Sequence, residues 1–184
     1  RINYRSNLLA LKQLGAERII AMNAVGGIGP DMGPEQIVIP DQLVDYTHGR
    51  ESSFYDGDRW PLQHIDFSWP YDQALRQWLI EAASDMPWDI VPQGTYGATQ
   101  GPRLETAAEI KKLALDGVDV VGMTGMPEAA LARELRLGYA SLCMVANWAA
   151  GIDHDEITMA QIEAHMVVAK SRALQLLASA FQAL

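Results

Sequence analysis

Two side chains stand out for what they can do together. Glu105 sits just before a capped helix, so the cap does not use its carboxylate, and Asn147 follows an apolar strand and precedes Trp148. An ionised Glu only accepts hydrogen bonds, whereas Asn both donates and accepts. A 6-oxopurine offers N1–H as a donor and O6 and N7 as acceptors. Glu105 can take N1–H, and Asn147 can donate to N7 or O6. Taken singly, each residue also fits a plainer role: a solvated surface carboxylate, and an Asn that shapes a turn.

Anion binding is a second chemistry that the sequence allows. Asp119 to Gly122 reads as the end of a buried strand, and Pro127 opens a helix through Glu134. Between them, Met123, Thr124 and Gly125 offer unpaired backbone N–H groups, a hydroxyl and a glycine that lets a ligand come close. An ordinary strand-to-helix turn fits the same residues. The stretch from Asn23 to Pro30 reads as a glycine-rich turn. It is not a dinucleotide fingerprint, because Met32 takes the third glycine position and Pro30 disrupts the helix start. It is not a P-loop either, since no Gly-Lys-Ser/Thr follows. A bare backbone cradle and a structural turn both remain open. The run from Asp153 through His154 and Asp155 to Glu156 hints at a metal, but no second cluster has ligand spacing, so no metal is expected.

The elements that must position these residues follow from periodicity and punctuation. Helices are expected over Ser6–Leu14, Tyr71–Ser84, Ala107–Asp116, Pro127–Glu134 and from Thr158 onward. Thr106 with Glu109, and Thr158 with Gln161, form capping boxes. Strands are expected at Arg18–Met22, Gln36–Ile39, Leu43–Thr47, Asp89–Thr99, Val118–Gly122 and Tyr139–Ala146. The last two flank a helix and are expected to be parallel, as a β-α-β unit. Residues 147–156 read as a loop. His48–Pro70 is a long irregular stretch, the kind that is functional or at an interface. The alternation of strands and helices predicts an α/β fold on a parallel or mixed sheet. Ligands in such sheets collect beyond strand ends, where four small or polar segments converge: 23–27, 100–105, 122–124 and 146–151.

The 184 residues suit a single domain, and 49% are hydrophobic, enough for a substantial core. A net charge of −9 argues against nucleic acid or an anionic membrane as partner. The single cysteine, Cys143, allows no internal disulfide and fits a reducing, cytoplasmic setting.

Four segments carry a resemblance: Asn23-Ala24-Val25-Gly26-Gly27, Gly101 to Thr106, Gly122-Met123-Thr124 with Met126-Pro127-Glu128, and Ala146 to Gly151. The chain resembles the trimeric purine nucleoside phosphorylase and methylthioadenosine phosphorylase family. Arg1 to Arg5, with Tyr4, and Ser53 to Gly57 are similar to the methylthioadenosine branch. The resemblance implies a phosphorylase-type fold, a central mixed sheet partly closed into a barrel and flanked by helices, in a homotrimer. It implies reversible phosphorolysis of a nucleoside, with inorganic phosphate as co-substrate and no metal or organic cofactor.

By the same resemblance, Asn23, Ala24 and Thr124 lie at the phosphate, and Met123 backs the ribose. Leu104 stands where the family packs an aromatic on the base, and Glu105 and Asn147 read the base. Adenine-specific relatives carry Asp at the positions of Asn147 and Ala149, so this pair implies a 6-oxopurine. Met159 stands where nucleoside phosphorylases place a His at the 5′-hydroxyl, and a thioether favours an apolar 5′-methylthio group. His64 matches a His that reaches a neighbouring subunit's site. The implied substrate is a 6-oxopurine 5′-methylthionucleoside. The 6-aminopurine analogue and plain inosine or guanosine are the alternatives, and a hydrolase or a non-catalytic nucleoside binder on the same fold are the rival classes. The family's phosphate-binding loop and Arg-His-Gly motif are expected upstream of Arg1.

Overall fold

Five helices and seven strands are seen in a computed structural model, which describes residues 2–57, 60–153 and 156–182. In chain order they are α1 (Tyr4–Gln13), β1 (Arg18–Gly27), β2 (Ile37–Val38), β3 (Gln42–Asp45), α2 (Gln73–Ala83), β4 (Ile90–Val91), β5 (Thr95–Ala98), α3 (Ala107–Leu115), β6 (Val120–Gly122), α4 (Glu128–Glu134), β7 (Gly138–Trp148) and α5 (Met159–Gln182). Their ends follow local chemistry. The side chains of Asn3, Asp72 and Thr106 accept backbone N–H bonds at the starts of α1, α2 and α3. The capping box of Thr106 and Glu109 is complete, and Thr158 and Gln161 bond reciprocally ahead of α5. Gly15 and Gly117 take positive φ just past α1 and α3, where a side chain would be strained.

The strands form one mixed sheet in the order β3-β5-β6-β1-β7-β2-β4, curled into a half-barrel flanked by helices. The long central strand β7 explains how this sheet is covered on both sides. Ala140, Leu142 and Met144 join Leu75 and Leu79 of α2 and Ala169, Ala173 and Leu176 of α5. The alternate residues Tyr139, Cys143 and Val145 join Val25, Tyr96 and the α4 residues Ala129, Leu131 and Ala132. A period of two sends successive side chains to opposite faces, and a strand buried on both faces reads as a continuous apolar run.

Two expectations about this sheet are corrected. The segment from Asn23 to Gly27 is not a turn but the second half of β1, paired with β7. Its glycines serve close packing rather than chain reversal: a Cβ on Gly27 would meet the Met32 carbonyl oxygen at 1.6 Å. Secondly, β6 and β7 are not a parallel neighbouring pair. β1 lies between them, parallel to β7 and antiparallel to β6. The seven-residue α4 is too short to carry the chain back along the eleven-residue β7, since a helix advances only about 1.5 Å per residue against about 3.3 Å for a strand. β6 pairs instead with the last two residues of β1, Gly26 and Gly27.

Candidate active site

The β1–β7 ladder slips at one point. Val25 pairs with Val145, but Gly26 pairs with Asn147, which leaves Ala146 as an extra residue. Such a bulge bends its strand and re-aims the next side chain. Asn147 is thus a strand residue, not the loop residue that its sequence suggests. The bulge stands at the mouth of a cavity of about 280 Å³, where the ends of β1, β6 and β7 meet.

Most of the expected site residues line this cavity: Ala24, Leu104, Glu105, Met123, Thr124, Asn147 and Ala149. Glu105 is half-buried and accepts the Thr99 hydroxyl at 2.6 Å. The Asn147 amide donates to the Trp148 carbonyl at 2.6 Å, which uses one of its two protons and leaves the other free. Ala149 is buried and adds no polar group. A larger cavity of about 410 Å³ adjoins, shares Glu105, and contains Arg103, Glu109 and Lys112. Arg103 and Glu109 are paired with each other there, at 2.7 Å.

The end expected to hold phosphate is built differently. Asn23 is 4% exposed and does not line the cavity; it stands behind it. Its amide donates to Ser141 Oγ at 2.7 Å, and its Oδ1 accepts the Thr124 hydroxyl at 2.9 Å. The backbone N–H groups of Thr124 and Gly125 are not unpaired, as the strand-to-helix junction suggests. Both donate to the Tyr96 hydroxyl, at 3.2 Å each. Gly125 does not make room for a ligand either: a Cβ there would meet Tyr96 Cε1 at 2.8 Å. The Tyr96 ring fills the helix start, and burial pushes its hydroxyl pKa up, so it stays a neutral partner.

Besides Asn23, three expected residues are not brought to the cavity. Met159, 65% exposed, is the first residue of α5, and Ile157 and Ile162 line the cavity beside it. Tyr4 is half-buried at the start of α1, with its ring under the Arg50 guanidinium at 5.7 Å. His64 is exposed in the irregular segment between β3 and α2. That segment docks through Ser53 and Phe54 on Glu134, each at 2.7 Å. Tyr96, Ile157 and Ile162 were missed by sequence reasoning. The isoleucines carry no chemical signal, and only the glycines at 122 and 125 hint at a ring packed against them. Among the described residues, no group of three His, Cys, Asp or Glu is placed to hold a metal. His154 and Asp155, half of the acidic run at 153–156, lie outside the described residues. No described helix is long and apolar enough to cross a membrane.

A carboxylate and an amide at one end and a hydroxyl at the other thus meet at the edge of a curled mixed sheet. The model of the phosphorylase superfamily matches residues 1–182, and the chain belongs to that family. It is similar to a probable S-methyl-5′-thioinosine phosphorylase of Xylella fastidiosa, 54% identical over 172 residues, 93% of this chain and 69% of that protein. A probable 6-oxopurine nucleoside phosphorylase of Thermococcus kodakarensis is 46% identical over 182 residues, 96% of this chain and 68% of its own. Among solved structures, a variant of the adenosine/methylthioadenosine phosphorylase of Schistosoma mansoni with tubercidin superposes with a TM-score of 0.91 at 29% identity. It covers 97% of this chain and 70% of that one. The class is therefore a nucleoside phosphorylase, a pentosyltransferase.

Proposed function

We propose that the protein catalyses reversible phosphorolysis of S-methyl-5′-thioinosine, giving hypoxanthine and 5-methylthioribose 1-phosphate. One observation carries this reading: the cavity joins a carboxylate, Glu105, to an amide, Asn147, with Ala149 in place of a second acid. Glu105 accepts N1–H, and the free Asn147 proton serves N7 or O6. A phosphate oxygen attacks C1′ as the bond to N9 breaks, and its electron pair passes into the purine. Asn147 stabilises the charge that develops there, and the remaining rate comes from alignment. The Thr124 hydroxyl turns from Asn23 toward phosphate, with Ala24 beside it; Met123 backs the ribose, and Leu104 covers the base. Ile157 and Ile162 form the apolar wall that favours a 5′-methylthio group, with Met159 beside them in sequence.

Among the described residues, no Lys or Arg lines this cavity. The working form is a cytoplasmic homotrimer that uses inorganic phosphate and no cofactor. The exposed Trp60, Leu62 and Trp69 in the segment that holds His64 support its contact with a neighbouring subunit. Tyr4 then acts on substrate only through the loop that it packs on.

The test compares turnover of methylthioinosine, inosine and methylthioadenosine, with and without phosphate. Methylthioinosine is expected to be fastest, and only with phosphate. Faster use of methylthioadenosine overturns the role given to Asn147. Turnover that survives removal of phosphate replaces the phosphorylase with a hydrolase.

A further inference from the structure

The two ends of the cavity sit on loops that leave neighbouring strands. β5 and β6 run parallel as far as Ala98 and Gly122, and the Thr99 N–H still reaches the Gly122 carbonyl at 2.8 Å. Beyond that point the ladder stops. One loop runs from Thr99 to Glu105 and the other from Met123 to Met126. Their carbonyls have lost their strand partners, and buried carbonyls must find others.

Arg50 supplies them. Its Nη2 donates to the carbonyls of Thr99 at 3.2 Å and Gln100 at 3.1 Å. Its Nη1 donates to the carbonyl of Met123 at 2.9 Å and also to that of Met126. Its Nε donates to Gln100 Oε1 at 3.2 Å, and the same oxygen accepts the His48 N–H. All five protons of the fork are spent on these two loops. A lysine, with three donors on one point, cannot cover the same spread of acceptors. The Tyr4 ring lies against the guanidinium and backs it.

We propose that Arg50 is a positioning residue for the reaction, setting the separation between the base-reading and phosphate-binding halves of the site. This inference rests on the function proposed above. Thr99, which gives its carbonyl to Arg50, gives its hydroxyl to Glu105. Met123, held by the same guanidinium, is followed by Thr124. One planar cation thus ties the carboxylate that reads the base to the hydroxyl that meets phosphate. Each loop keeps its own contacts without it, so each substrate still binds. What is lost is their alignment.

The experiment uses Arg50→Ala and Arg50→Lys in the whole encoded protein. Misplacement by about an ångström costs on the order of 100-fold in rate. We therefore expect kcat to fall about 100-fold in both variants, with KM for nucleoside and for phosphate each within about threefold of wild type. Hypoxanthine should still bind one per site, which separates misalignment from a smaller folded fraction. Free guanidine should restore part of the rate to Arg50→Ala. Hydrogen exchange on the ligand-free protein should quicken at 99–105 and 123–126 together, while β1 and β7 stay protected. A kcat within threefold of wild type overturns the proposal, as does a fall that tracks lost binding stoichiometry or exchange that quickens across the whole sheet. The exchange result stands whether or not the wild type turns over methylthioinosine, so failure of the functional reading is told apart from failure of this one.

Discussion

The two ends of the cavity, assigned above to base and to phosphate, spend their hydrogen-bonding capacity in opposite ways. At the base end, Glu105 holds one hydroxyl and Asn147 one carbonyl, and both keep unused valences toward the cavity. At the phosphate end, the Thr124 hydroxyl is given to Asn23, and two backbone N–H groups are given to Tyr96. A neutral base with fixed donors and acceptors is best met by groups that stand ready. A phosphate end with no cation among the described residues of its lining keeps its donors paired internally. On the function proposed above, selectivity for the base is built from these side chains, while the end assigned to phosphate is a frame.

The sharpest way to break this contrast is Asn147→Asp. The new carboxylate would face the Trp148 carbonyl now 2.6 Å from the amide nitrogen, and would repel O6 of a 6-oxopurine. Loss of a hydrogen bond at a buried polar site, with an unpaired group left behind, costs about 1–3 kcal/mol. We expect kcat/KM for methylthioinosine to fall about 100-fold, and the preference over methylthioadenosine to shrink or invert. Steady-state kinetics on the two nucleosides checks this. An unchanged ratio would show that the base end does not read the 6-position through Asn147.

Tyr96→Phe tests the other side. It keeps the ring that fills the space beside Gly122 and Gly125 and removes the oxygen that two N–H groups share. Stability should fall by about 1–3 kcal/mol, read from urea unfolding. Added phosphate should not restore it preferentially, because the ring still blocks the helix start. If phosphate stabilised the variant more than the wild type, the junction would be an anion site that the tyrosine plugs, and the contrast between the two ends would disappear.

How much of this was legible follows the range of the interactions. Caps and helices are local, and Thr106 with Glu109 or Thr158 with Gln161 announce themselves within four residues. The cavity lining was legible because strand ends converge in such sheets, and Glu105, Asn147 and Thr124 do converge. The extent of β1 was not, because its glycines read as a turn until Met32 and β7 are known to press on them. The parallel pairing expected of β6 and β7 failed because nothing near either strand says that β1 will lie between them. Tyr96 and Arg50 were invisible for the same reason. Each serves a loop distant in sequence, and a tyrosine in a strand or an arginine in an irregular segment carries no mark of such a task.

The smallest effect lies in how the base end is anchored. Arg103, in the loop that carries Glu105, meets Glu109 of α3 through two hydrogen bonds, 2.8 and 2.7 Å long. Those bonds, with the Thr106 N–H of the capping box, hold the Glu109 carboxyl at about 2, against an ordinary 4.5. A carboxylate depressed in the folded state stabilises it above its unfolded value and loses that contribution as pH falls through its folded value. The contribution should thus be complete above about pH 4.5 and fade toward about pH 2. Arg103→Met should raise the Glu109 pKa part of the way back, since the Thr106 N–H remains. The pair is exposed, so the loss of stability should be smaller than that of Tyr96→Phe. An NMR titration of the Glu109 carboxyl carbon reads it directly. A native Glu109 that titrates near 4.5 would mean that the bond is not held in solution, and more of the anchoring of the loop bearing Glu105 would then fall to Arg50 and Thr99.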